Sequence, residues 1–449
     1  MSGKTLAFAL IAGLFALDAR TAAGKLVVHE WGTFTSFQDE RGATIAGINV
    51  DDEPVPGFVH RLGDVPIFTR NSLPATWSQG APRCHPDVTM RLETPVLYFH
   101  PPADWIPVPV DVRASFVGGW LTEFFPAADP DDAGFPQAID AAARSSLTWN
   151  HLQLHAASGA GSVMPATDAH VWLAPRNVKA ATVINPASNE AEKYLFYRGV
   201  GHLDAPIVVT RKGSTLHFSL RDGAPDLETL PTLWLVDVGA DGHLFLKVVK
   251  PAGRTAQAPV FTGDLAGAWN NRLGLELELA EALVAAGLHA DEAAAMLETW
   301  KLSYFESPGW RVFFLLPRSW IDAHLPLEIS TPADITRVMV GRVELVTDQQ
   351  RATLAKLHAL PESDFPRVPV YGESMEVLAA MHRGGLSEVD LYKLAGRPVP
   401  ESLALYDSLG RFRDPLLAHE WTREKDPARR ARLALALRHF GACLPELRN

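Results

Sequence analysis

From about residue 25 to 265 the chain is a succession of short apolar runs cut by Pro, Gly and Asp. Runs such as "PVDVRASFVGG", "KYLFYRGVG", "PIVVTRKGSTLHFSL" and "TLWLVDVGADGHLFLKVV" have strand length and β-branched or aromatic character. No alternation of strands with helix-length segments appears, so a mainly antiparallel β-sandwich-like core is favoured over a parallel βαβ sheet. The last two runs read as hairpins, with "RKGS" and "GADG" as their turns. "DVGADG" also begins like a calcium loop, but its twelfth position is Val248 where a glutamate is needed, so the turn reading is preferred.

The texture changes near residue 266. "LGLELELAEALVAAGLHADEAAAMLETWKLSYF" predicts two helices joined near Gly287, and "WRVFFLLP" and "DITRVMVGRVELV" return to strand character. Beyond 347 short helices dominate. "DPARRARLALALRHFG" is an amphipathic helix with Asp426 as its cap and Gly441 as its stop. The expected organisation is a leader at 1–23, a β-rich domain at 24–265, a mixed helix and strand region at 266–347 and a helical region at 348–449, α+β overall.

The leader has the parts of a signal peptide: Lys4, an apolar core at residues 6 to 17, and small residues before Gly24. The apolar run is short for a membrane span. A periplasmic or extracellular location is therefore expected, with no transmembrane segment in the mature chain. An exported chain can join Cys84 to Cys443 in a disulfide, and two unpaired thiols are the alternative. With no CxxC pair, a cysteine-based zinc finger is excluded. A net charge of -11 without a basic patch argues against nucleic acid as a partner. A small molecule or a polysaccharide remains as the expected ligand class. Twelve tryptophans suit sugar stacking, although core packing explains most of them more simply.

"VVHEWGTFTSFQ", residues 27 to 38, puts His29, Glu30 and Trp31 in one strand. Alternation gives His29 a face with Val27, Trp31, Thr33 and Thr35, and Glu30 the face of Leu26, Val28, Gly32 and Phe34. Without a bulge, His29 and Glu30 cannot serve one metal. A carboxylate on an apolar face needs a cation or donors, and Arg91 or Arg198 is the expected partner. Gly32 leaves room beside Glu30 for another group.

In "CHPDVTMRLETPVLYFHPP", Arg91 and Glu93 share a face and can pair, and Pro95 predicts an edge strand or a break. His85 and Asp87 form an H-x-D pair before this strand. His202 and Asp204 repeat it in "YRGVGHLDAP". Nitrogen and oxygen donors of this kind suit zinc or another divalent ion. "WNHLQLH" reads as a strand with an exposed polar face, so His151 and His155 stand roughly 13 Å apart and cannot share an ion. A P-loop, a G-x-S-x-G elbow and an H-E-x-x-H motif are all absent.

"VHEWGTFTS", "CHPDVTMRLETPVLYFH", "EKYLFYRGVGHLDAP" and "RVMVGRVELVT" resemble stretches of an uncharacterised family of exported bacterial proteins. The resemblance covers most of the mature chain and implies export, with no activity to carry over.

Two functions are compatible with these residues. One is a metal-assisted or carboxylate-based hydrolase, with His85, Asp87, His202, Asp204 and His29 as metal ligands and Glu30 or Glu93 as general acid or base. In that case the HEWG strand forms one wall of a cleft and the two H-x-D loops the others. The other is a noncatalytic binding or assembly protein of the cell envelope.

Overall fold

A computed structural model describes residues 24–50, 55–62, 77–78, 80–131, 134, 136, 138–155, 164–223, 228–260, 271–365 and 388–440. The leader and Cys443 lie outside them. Cys84 is disulfide-bonded.

The protein is strand-rich with C-terminal helices, α+β overall. Nine strands form its central sheet. Their order is Leu244–Val249, Leu233–Val238, Gly309–Leu315, Ala333–Leu345, Leu26–Gln38, Met90–His100, Leu195–Gly201, Gly119–Phe125 and His60–Arg61. The strand Leu26–Gln38 is thus central and buried almost throughout. It runs antiparallel to Met90–His100 and parallel to Ala333–Leu345, in register over its whole length. The parallel pair departs from the expected antiparallel pattern. The region 266–347 supplies two strands of this sheet, so it shares a core with 24–265.

One face of the central sheet packs against two smaller sheets. A six-stranded sheet centres on Val110–Val117 and Arg144–His155, and a three-stranded sheet holds the hairpin Ile207–Lys212/Thr215–Leu220 with Thr255–Pro259. Leu26, Val28 and Phe34 enter that core together with Val112, Trp149, Ile207 and Phe218. The opposite face carries Trp31, Val236, Phe313 and Val338. It is covered by the helices Arg272–Ala285 and Ala290–Thr299, whose Leu275, Leu279, Leu283 and Met296 are buried there. At one end of the opening strand Phe37 joins a third core, built with the C-terminal helices Glu401–Ser408, Arg413–Arg423 and Pro427–His439.

The predicted turns hold. Gly213 and Gly242 take positive φ in the two hairpins, and Gly287 does so between the two helices, where a Cβ would be strained. Asp426 caps the last helix by accepting the Arg429 backbone N–H at 2.9 Å.

Pro95 lies in an interior strand, not at an edge. Pairing shifts register beside it on both flanks, between Trp31 and Thr33 and between Phe196 and Gly199, and the preceding Thr94 has φ 45. A bulge thus absorbs the missing N–H donor. The space beside Gly32 is filled by this bulge: a Cβ at Gly32 would stand 3.0 Å from Pro95 Cα and N and 3.1 Å from Met339 Sδ.

The strand reading of "WNHLQLH" also holds, but Trp149 is buried and donates its indole N–H to Pro126 O at 2.9 Å. His151 is exposed, with φ 56, beside a register shift against Val110–Val117.

Candidate metal centre

A central strand with both faces covered has no water for its polar side chains, so each needs a partner. The partners found in "HEWGTFTSFQ" follow strand parity, while Trp31 Nε1, Thr35 Oγ1 and Ser36 Oγ are buried without one among the described residues. On the helix side Thr33 Oγ1 meets Tyr304 Oη at 2.6 Å. On the sandwich side Glu30 accepts from the Arg337 guanidinium and the Tyr197 hydroxyl. At the strand's end the Gln38 amide donates to Ile207 O and accepts from the Val209 N–H, at 3.0 and 2.9 Å.

His29 lies on the helix side and meets a cluster there. Its Nδ1 is 2.7 Å from Glu292 Oε2. His100 Nε2 is 2.9 Å from Glu292 Oε1, and His289 Nδ1 is 4.0 Å from Glu292 Oε2. The three imidazole centroids lie 4.6 to 5.1 Å apart. One ligand atom from each of the four residues lies within 4.8 Å of all the others. This is the one such group of three or more His, Cys, Asp or Glu among the described residues.

Local geometry builds the cluster from three segments. His100 pairs with Val27 and Tyr98 with His29, so both histidines point from adjacent strands to the same face. His289 is the N-cap of the helix Ala290–Thr299, and Glu292 is its third residue. Glu292 reaches back to accept the His289 backbone N–H at 2.8 Å, half of a capping box. The helix N-terminus also favours a negative charge there. Burial by itself would raise the Glu292 carboxyl. The hydrogen bonds from His100, His29 and the His289 backbone outweigh it and hold the group at about 2. Glu292 is therefore an anion facing three imidazoles.

Three nitrogen donors and one carboxylate suit zinc or a similar divalent ion. Ligand atoms about 2.1 Å from a tetrahedral ion stand about 3.4 Å apart. The direct His29–Glu292 and His100–Glu292 contacts are shorter, as expected where a proton bridges them, so ion entry requires both to open by about half an ångström or more.

Of the ligands predicted from sequence, only His29 belongs to this cluster. The two H-x-D loops do meet, but elsewhere. His202 Nδ1 lies 2.7 Å from Asp87 O, and His85 Nδ1 accepts the Asp87 N–H at 3.3 Å. The Asp87 carboxylate accepts the Ile139 N–H, while Asp204 accepts from Thr44 and pairs with Arg221 at 3.3 Å. The strands leave these loops at Met90 and Gly201, which pair with each other. His29 stands opposite Tyr98, eight residues along that strand. At about 3.3 Å per residue the separation is roughly 25 Å. The HEWG strand and the two loops therefore do not enclose one cleft.

Glu30 is buried and paired with a cation, as expected, but the cation is Arg337. Arg198 pairs with Glu123, and Arg91 with Glu93 at 3.0 Å. Arg342 also holds Glu93, at 3.0 Å. Both carboxylates are thus locked in buried ion pairs, which leaves neither placed as an acid or base for a substrate. Sequence reading missed His100, His289 and Glu292. The available signals were strand parity at His100 and the i, i+3 spacing of His289 and Glu292 at a helix start.

The chain matches no family model and no curated protein. A solved structure of the Fcho1 Mu homology domain from Danio rerio with bound Eps15 peptide aligns with 72% of this chain and 95% of its own, at 8% identity and TM-score 0.25. That overlap carries no inference about fold or function.

Proposed function

We propose that this protein binds one divalent cation, of zinc type, through His29, His100, His289 and Glu292, and uses it in metal-assisted hydrolysis. The carrying observation is the convergence of three imidazoles and a buried carboxylate within 4.8 Å. A donor set of His and carboxylate, with no thiolate, is the kind that catalytic zinc sites use to polarise a carbonyl or activate water. We place the mature protein outside the cytoplasm on the strength of the leader. The proposal is tested by metal analysis of purified protein before and after chelation, together with hydrolysis of ester, amide and phosphoester substrates. About one equivalent of metal, lost in His29→Ala and Glu292→Gln, is expected. A metal-free protein with unchanged activity after chelation would refute it.

A noncatalytic assembly role is the second reading. It is favoured by the helix Arg272–Ala285, whose outer face leaves Leu273 66%, Leu277 55% and Val284 44% exposed. Among the described residues no helix is long and apolar enough to cross a membrane. Metal bound without turnover of any substrate class would favour this reading.

A further inference from the structure

We infer that the four ligands are unequal: His29, His100 and Glu292 hold the ion, while His289 occupies an exchangeable position that a small oxygen-donor ligand can take. This rests on the metal reading above and adds to it an open coordination site.

The four side chains of the cluster contrast in burial and bonding. The side chains of His29, His100 and Glu292 are 5%, 14% and 0% exposed, and the two histidines each contact the carboxylate directly. His29 and His100 are fixed by the pairing of two interior strands of the central sheet. Glu292 is fixed by its bond to the His289 backbone N–H and by a helix packed on that sheet. His289 differs on each count. Its side chain is 53% exposed, and its ring Nδ1 stands 4.0 Å from Glu292 Oε2, beyond hydrogen-bonding distance. Its backbone caps the helix whether or not its ring faces the cluster.

Rotation of the half-exposed His289 side chain gives up its ring contacts with His29 and His100, 4.6 and 4.7 Å between centroids, but no hydrogen bond to Glu292, and opens the centre on its solvent side. The remaining set, two imidazoles and one carboxylate, is a three-ligand arrangement with room for water or substrate in the fourth place. The incoming group is an oxygen donor, either a carbonyl-type or a phosphoryl-type oxygen. Both approach from the His289 side, because the other three ligands are covered by protein.

Cobalt substitution tests this, since the visible spectrum of bound Co2+ reports coordination geometry. His289→Asn is the variant of choice, because the Glu292 bond to the backbone N–H of residue 289 does not use the ring and asparagine is a favoured N-cap residue. His289→Asn should retain Co2+ within about tenfold of wild type, while His29→Ala, His100→Ala and Glu292→Gln should lose more than about 100-fold. Acetohydroxamate or inorganic phosphate should shift the spectrum of the wild-type Co2+ protein. A response to the first alone assigns a carbonyl-type ligand, and to the second alone a phosphoryl-type ligand. Loss of metal in His289→Asn as severe as in His29→Ala overturns the inference and leaves a closed four-ligand site. So does a spectrum that neither probe changes. If wild-type protein binds neither Co2+ nor Zn2+, the metal centre itself fails, and this inference fails with it.

Discussion

Replacing Glu30 by methionine should destabilise the protein strongly, and two further substitutions should restore it. Glu30 and the Arg337 side chain are 0% and 1% exposed, and Tyr197 beside them is fully buried. Burial alone would lower the Arg337 guanidinium; Glu30, with Tyr197 and Asp322, outweighs it and holds the group above its ordinary value, and an arginine remains charged with or without them. Glu30→Met strands that charge, and breaking a buried pair costs about 3–5 kcal/mol. Arg337 keeps one partner, Asp322 at 2.8 Å, so the lower end, about 3 kcal/mol, is expected. The Tyr197 hydroxyl also loses its acceptor, a further ~1–3 kcal/mol. Glu30→Met/Arg337→Met removes both charges and should leave mainly the tyrosine cost. Adding Tyr197→Phe should bring stability within about 1 kcal/mol of wild type, because a buried ion pair contributes little beyond a packed apolar substitute. Urea unfolding of the four proteins measures this series. A loss below about 1 kcal/mol for Glu30→Met, or a triple variant no more stable than Glu30→Met, would refute the reasoning.

Gly32→Ala should cost about 1–3 kcal/mol through overpacking against the Pro95 bulge, and an unchanged melting temperature would show that the bulge yields freely. At Asp39, burial by itself would raise the carboxyl. The hydrogen bonds from His419, the Arg41 and Ala43 backbone N–H groups and the Arg41 side chain outweigh it and hold the group well below the usual carboxylate range. The unfolded chain takes up that proton near pH 4, so the stabilisation is present above about pH 4 and is lost as the pH falls toward the folded value. Asp39→Asn should therefore flatten the acid limb of a melting-temperature profile, and parallel profiles would count against this. His85→Ala and His202→Ala should leave metal content at the wild-type level, since both rings are engaged about 25 Å from His29; loss of metal in either variant would move the centre to the H-x-D loops.

Much of the local structure was legible in the sequence. Period-two alternation separated His29 from Glu30, and the structure keeps them on opposite faces. The "RKGS" and "GADG" turns, the helix pair joined at Gly287 and the Asp426 cap were legible for the same reason: each depends on backbone geometry over a few residues. What lay beyond reach was which strands become neighbours. Leu26–Gln38 pairs with Ala333–Leu345 across some three hundred residues, and that pairing alone makes Arg337 the partner of Glu30. Pro95 read as an edge or a break in the strand because its missing donor is a local fact, whereas the bulge and the close approach of Gly32 that accommodate it inside the sheet are tertiary facts. The centre follows the same division. Each of its segments has an ordinary local reading as a strand residue, a strand end or a helix start. Only the packing of a helix N-terminus onto the central sheet brings three imidazoles to one carboxylate, because spacing along a chain fixes the direction of a side chain but not what lies opposite it.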